Sequence, residues 1–222
     1  MQEKGTAPRR PRGRPQARPD DETLRVIADA ARGEFMTRSF SDVSMASVAQ
    51  RAGVSTKTMY RLVPTKADLF RNIVLDRMGK FVDALDVGSL DALAPIEALT
   101  RLLTISAGLI LSPDGTTMYR LAVTERDRFP DLAAFFFENA IGPAGRILED
   151  WLRRQRDLGV IEIDDPAATS GMLRGMIAMD PQRAVLLGQR SLPDAAEVTA
   201  RARTCAELFL NGCLVGARAG GR

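Results

Sequence analysis

SMASVAQRAGVSTKTMYRLVPTKADLF, residues 44–70, is the stretch whose reading decides the fold. Ser44 suits the N-cap of a helix through Met45, Val48, Ala49 and Ala52, whose i, i+3, i+4 spacing gives one apolar face. Gly53 stops that helix. After a single Gly-Val step Ser55 caps a second helix, from Thr56 to about Leu62, with Met59 and Leu62 inward and Thr56, Lys57, Thr58, Tyr60 and Arg61 largely outward. Helices joined by so short a turn must cross steeply. The second therefore projects its N-terminal side chains and fits a DNA major groove.

The outward set has suitable chemistry. Arg61 and Lys57 can donate to guanine O6 and N7, Thr56 and Thr58 can donate, accept or touch a thymine methyl, and the Tyr60 hydroxyl can reach a phosphate. Ser44 and Ser55, at the two helix starts, complete the DNA-facing set. Pro64 ends the second helix, Thr65 caps a third, and Lys66 sits in that helix's first turn, where a cation opposes the dipole. A phosphate bound at that helix start would explain the lysine.

These residues carry a family resemblance. AARGEF at residues 30–35, SMASVA at 44–49, AGVS at 52–55 and above all YRLVPTKADLF at 60–70 resemble the DNA-binding domain of the TetR/AcrR family of one-component transcriptional regulators. The resemblance covers residues 23–70. It implies an all-α chain of about nine helices, with a helix-turn-helix head followed by a larger helical ligand-binding and dimerisation body. By the same resemblance Thr56, Lys57, Thr58 and Arg61 read bases, while Tyr60 and Lys66 hold phosphates. Leu62 stands where many members carry His or Tyr, which removes one backbone contact, and Ser39 replaces a frequent glycine after the first helix.

Composition sets outer limits. The chain has 222 residues, 45% hydrophobic and 27% charged, enough for one large helical domain or two small ones. No apolar run approaches the roughly 18 residues of a membrane span, and no apolar segment follows the arginine-rich start, so a cytoplasmic protein without membrane association is expected. The sequence contains 0 histidines, which removes Ser-His and Cys-His nucleophile pairs and the commonest zinc ligand. No P-loop, GxGxxG or CxxC is present, and Asp164-Asp165 reads as a helix start, so neither enzymatic activity, a cofactor nor a metal is expected. A helical enzyme with a vestigial head has little to work with. Cys205 and Cys213 lack partners at metal-ligand spacing and read as reduced core thiols.

Charge is segregated. Residues 1–80 hold 16 Lys and Arg against 9 Asp and Glu, a net +7, which leaves −4 for residues 81–222 out of the total of +3. A phosphate-binding end and a non-binding body would be charged in this way.

In chain order, residues 1–20 are a Pro, Arg and Gly arm with little to bury, expected to be disordered. Its Pro11-Arg12-Gly13-Arg14-Pro15 resembles an AT-hook core, in which Arg12 and Arg14 enter an A·T-rich minor groove; a non-specific basic tail is the other reading. If the arm dominates, the protein is instead an architectural A·T-rich DNA binder, which random competitor DNA would distinguish. The head spans residues 21–66, with a first helix over 23–38 and a small core of Phe35, Phe40, Val43, Val48 and the Tyr60 ring. The body spans residues 67–217 and a flexible tail 218–222. Its helices are expected over 66–85, 91–111, up to 126 after a Ser112-Pro113-Asp114-Gly115 turn, 131–157 bent near Gly142-Pro143, 166–189 with an awkward Pro181, and 193–217.

Within the body, residues 125–137 and Gly142-Pro143 resemble, more loosely, the C-terminal domain of a subgroup of the same family. Leu103, Met118, Tyr119, Phe136, Phe137 and Trp151 are candidates to line a cavity for an apolar small-molecule effector, the usual inducer type of the family. The same residues would equally fill a solid core. The last two helices, with Met172, Met176, Met179, Ala202, Cys205, Phe209 and Cys213, are candidates for a homodimer interface, since the family pairs them as a four-helix bundle and a two-fold dimer reads a palindromic operator. The sequence-level expectation is a homodimeric DNA-binding regulator, in the first instance a repressor, whose partner is double-stranded DNA.

Deleting residues 1–19 is expected to weaken operator binding and to flatten log K against log salt by at least about two units, one each for Arg12 and Arg14. An unchanged affinity and slope in a fluorescence titration would remove the arm from the interface.

Overall fold

A computed structural model of the chain describes residues 18–85 and 87–213, excluding the side chains of residues 87, 89 and 213. Residues 1–17 of the arm, with Arg12 and Arg14, and the tail 218–222 lie outside the described residues, whereas Asp20, expected in the arm, opens the first helix. Among the described residues all regular structure is helical: α1 Asp20–Thr37, α2 Met45–Ala52, α3 Thr56–Leu62, α4 Lys66–Ala84, a one-turn α5 Val87–Leu90, α6 Pro95–Ile110, α7 Pro113–Thr124, α8 Pro130–Phe136, α9 Gly142–Asp157, α10 Pro166–Arg174, α11 Asp180–Leu186 and α12 Ala195–Cys213. Two π segments, Phe137–Ile141 and Gly175–Met179, join α8 to α9 and α10 to α11. Counted through the π segments, and leaving out α5, the described chain has nine helices.

The head is built by local signals. Asp20, Asp21 and Glu22 place three acids in the first turn of α1, where they complement its dipole. Ser44 and Ser47 form a reciprocal capping box at α2, Ser55 caps α3 through the Thr58 amide, and Thr65 with Asp68 forms a second box at α4. Each cap contributes about 1 kcal/mol, a large share for helices of 7 and 8 residues. Gly53 adopts φ 65°, the left-handed conformation that closes α2, and its amide reaches the Ala49 and Gln50 carbonyls.

Two apolar cores share α4. Leu69, Phe70, Ile73 and Val74 lie in the head core with Phe35, Phe40, Val48 and Met59, whereas Met78, Phe81 and Leu85 lie in the body core. Tyr60, expected to lend its ring to the head core, stays 54% exposed because Met59 takes the inward position on so short a helix. The head core does not end at residue 66. Met118 and Leu121 of α7 and Leu132 of α8 belong to it, Phe40 stacks on Phe35 at 5.7 Å, and Phe40 meets Phe129 edge-on at 5.0 Å. Arg32 of α1 pairs with Asp76 of α4, and Asp114 of α7 lies 3.5 Å from Arg32 and 3.0 Å from Arg77, so a half-buried ionic cluster ties the two parts at one point.

The body departs from expectation at three helix starts. Ser112-Pro113-Asp114-Gly115 is not a free turn: Ser112 accepts from the Gly115 amide and Pro113 occupies the first helical position of α7. α6 begins at Pro95 rather than residue 91, and α12 at Ala195, where Asp194 accepts from the Glu197 amide at 2.8 Å. The bend at Gly142-Pro143 is a π turn, with the Gly142 amide reaching back five residues to the Phe137 carbonyl. Pro181 is accommodated in the same way after Gly175–Met179, and the Ile177 carbonyl, which proline leaves without its helical donor, accepts from Arg201 Nε at 3.0 Å.

A Cβ at residue 53 would meet nothing within 4 Å, so Gly53→Ala isolates the cost of the left-handed backbone. Roughly 1–2 kcal/mol of destabilisation is expected, read as a Tm lower by about 2–8 °C at 2–4 °C per kcal/mol.

Candidate nucleic-acid interface and cavity

The α2–Gly53–α3 unit presents α3 at the surface, with Met59 fully buried beneath it. Thr56, Lys57, Tyr60 and Arg61 are exposed. Lys57 and Arg61 are four residues apart and share one helical face. Ser44 and Ser55 are placed as caps, their hydroxyls accepting from the amides of Ser47 at 3.0 Å and Thr58 at 3.1 Å. Thr58 departs from the expected outward orientation. It is half-buried, and its hydroxyl lies 2.9 Å from Ser55 Oγ inside the cap.

Lys66 also departs from expectation. Its ammonium turns away from the helix start and donates to the carbonyls of Ser41 at 3.0 Å and Val43 at 2.8 Å, 4.8 Å from the Phe40 ring centre. Burial lowers its pKa, against the attraction of Glu125 and Asp42. Two carbonyls thus supply the counter-dipole that a phosphate was expected to supply, and the side chain fastens α4 to the loop between α1 and α2.

Arg61 is held in both of its terminal donors by Asp20, with NH1–Oδ2 and NH2–Oδ1 each at 2.7 Å. These bonds hold the Asp20 carboxyl below its ordinary range and raise the arginine. The pair is solvent-exposed, so it adds little to stability and is easily exchanged for another planar acceptor. A guanine edge is such an acceptor.

The body holds a cavity of about 300 Å³ between α4, α6, α7, both π segments and α10. Tyr119 and Phe136 line it, as expected. Leu103 and Trp151 do not, being packed into the body core at 0–1% exposure, and Met118 belongs to the head core. Phe137 is turned out to solvent, because it opens the π turn and leaves the face that Phe136 occupies. Bulk apolar side chains fill the cores, while smaller ones, among them Ala140, Ala144, Gly171 and Ala178, leave the space. The polar lining that sequence reasoning missed is Arg77, Arg174, Ser106 and Gln182. The signal for the arginines is that neither has a carboxylate three or four residues away on its helix.

Met172, Met176 and Met179 are exposed, with Leu187 and Leu208, and Phe209 is half-buried; Met179 also lines the cavity. Ala202 and Cys205 are not at this surface. They are buried in the body core of the protomer, and burial pushes the Cys205 thiol up. The side chain of Cys213 lies outside the described residues. Among the described residues no group of His, Cys, Asp and Glu could hold a metal ion, and no single helix is long and apolar enough to cross a membrane.

Comparisons place this geometry among known proteins. Residues 27–73 match the family model described as bacterial regulatory proteins, tetR family, and residues 97–212 match that of the AefR-like transcriptional repressor, C-terminal domain. A TetR-family transcriptional regulator from Mesorhizobium loti superposes with a TM-score of 0.77 at 22% identity, over 90% of this chain and 100% of its own. The flavonoid-responsive regulator FrrA gives 0.68 at 26%, over 89% and 100%. The transcriptional regulator FadR from Bacillus subtilis, in complex with stearoyl-CoA, gives 0.69 at 20%, over 85% and 98%. No curated protein sequence matches.

Arg61→Ala is expected to weaken binding to a selected DNA site by roughly five- to hundredfold and to relax preference at one base position. Asp20→Asn is expected to tighten it, since it frees the guanidinium and removes a negative charge beside the duplex. If both variants weakened binding equally in anisotropy titrations, Arg61 would serve to hold α1 against α3 and would not touch DNA.

Proposed function

Because the chain belongs to the TetR family of bacterial transcriptional regulators, we propose that it works as a homodimeric repressor that grips a palindromic operator and releases it when a small apolar molecule enters the cavity. The observation that carries the DNA-binding part is the α3 face: Thr56, Lys57, Tyr60 and Arg61 stand out from a doubly capped helix-turn-helix. Thr56, Lys57 and Arg61 read base edges, and Tyr60 holds a phosphate. Ser55 and Thr58 set the height and tilt of α3 through its cap, and Ser44 does so through the cap of α2.

Dimerisation supplies the second α3. The exposed methionines of α10 and its π segment, with Leu208 of α12 at 63% exposure, form the apolar surface that a second copy would cover. Two copies related by a two-fold axis present their α3 helices to half-sites about one helical turn apart, or a multiple of it. A ligand in the cavity lies against Val74, Arg77 and Met78 of α4, whose other end enters the head core. It shifts the spacing of the heads only by its difference in affinity for the bound and released states.

The test is selection from a random DNA pool followed by sizing of the complex. An inverted repeat bound by one dimer, with a specificity ratio of at least ~10³ over random DNA, is expected. Leu208→Glu combined with Met172→Glu should give a monomer that loses this affinity while keeping its helical content. A wild-type monomer that binds single half-sites as tightly as repeats would overturn the dimeric reading.

A further inference from the structure

We propose that the cavity's ligand is a small hydrocarbon ending in a carboxylate, with the carboxylate paired to Arg174. The inference rests on the reading of the cavity as an effector site and adds the chemical class of the effector.

Two arginines line the cavity, and their situations differ. Arg77 is satisfied within the protein: it pairs with Asp114 at 3.0 Å and donates to the Leu109 carbonyl at 2.8 Å and Ser112 Oγ at 2.7 Å. Asp76 and Asp114 balance Arg32 and Arg77, so that end of the cavity carries no unmatched charge. Among the described residues Arg174 makes a single hydrogen bond, from NH1 to the Ile141 carbonyl at 3.0 Å, and its buried Nε finds no partner. Among the described residues no carboxylate forms an ion pair with it, and burial alone lowers its pKa.

A half-buried guanidinium with unused donors is a charge held at a cost, which an anion relieves. The position of the group is built in. Arg174 lies flat on α9 at Gly145, where a Cβ would come within 3.0 Å of its Cζ, so glycine is what admits the guanidinium. The same positive charge repels a cationic ligand despite the aromatic rings of Tyr119 and Phe136.

The remaining wall fixes the rest of the molecule. Val74, Met78, Leu109, Ile110 and Phe136 offer hydrocarbon and aromatic contact. About 300 Å³, against roughly 30 Å³ for a water in the liquid, admits a ligand on the order of ten to fifteen non-hydrogen atoms. The carboxylate is the anion of choice because its two oxygens match the fork of a guanidinium and leave the tail unbranched.

The experiment compares decanoate with decanamide, and 4-phenylbutyrate with its amide, by calorimetry on the full chain, with decylamine as the cationic control. The wild type is expected to bind at least one acid about tenfold or more tightly than its amide, as a charge-assisted bond requires. Arg174→Gln should abolish that discrimination while leaving amide affinity within about twofold, and Arg174→Lys should restore part of it. Should Arg174→Gln fail to fold, the acid-to-amide ratio in the wild type and in Arg174→Lys decides alone. Equal binding of acid and amide, or preference for decylamine, overturns the carboxylate and leaves an apolar effector standing. Binding of none of these probes overturns the effector site itself.

Discussion

Everything in this molecule depends on α4 belonging to two hydrophobic cores. Its first half is buried among the three helices of the head and its second half among those of the body, with no glycine or proline between Leu69 and Met78 to decouple them. Interiors packed at crystal-like density deform by discrete rearrangement and not by smooth bending, so a displacement at Met78 is felt at Phe70. The head is also braced from outside α4. Arg32 with Asp114, Arg120 donating to the Phe35 carbonyl at 3.1 Å, and Phe40 against Phe129 tie it to α7 and the start of α8. The two parts are therefore joined along a face as well as through a rod.

Two prolines follow the π segments that wall the cavity. A helix that reaches Pro143 or Pro181 must surrender an amide donor, and in both places the chain answers with a π turn just upstream in place of a sharp kink. Carbonyls within those turns accept from arginines of neighbouring helices, Ile141 from Arg174 and both Met176 and Ile177 from Arg201. Both π segments border the cavity, so the places where helical hydrogen bonding is most irregular are also the places a ligand would touch. Irregular backbone supported by a few long-range bonds opens more readily than regular helix, which suits a wall that must admit a molecule.

Much of the head was legible in the sequence because its signals are local. Ser44, Ser55, Thr65 and Gly53 act within four residues of themselves, and each fell where the pattern put it. Ser112-Pro113 was legible too, as a cap followed by proline at the first helical position, but composition alone made it look like a turn. Lys66 was misread for a different reason: the carbonyls that satisfy it come from residues 41 and 43, more than twenty positions away. The cavity was least legible. Leu103, Met118 and Trp151 have the size and polarity of pocket lining and of core alike, and only packing decides between them. A better guide lay in the arginines without a carboxylate at helical spacing. Arg51, Arg61, Arg77, Arg120 and Arg174 all reach to another element, because no neighbour on their own helix could satisfy them.

The Asp20–Arg61 pair has a consequence for how discrimination is separated from stickiness. Together the two side chains carry no net charge, so bringing them to a duplex displaces no condensed cations and adds nothing to the sequence-blind attraction that holds a basic protein on any DNA. What the pair can add is shape: a planar fork that leaves its carboxylate only where the base edge offers two acceptors in its place. A regulator that must leave its site promptly gains from having one of its readers neutralised in advance.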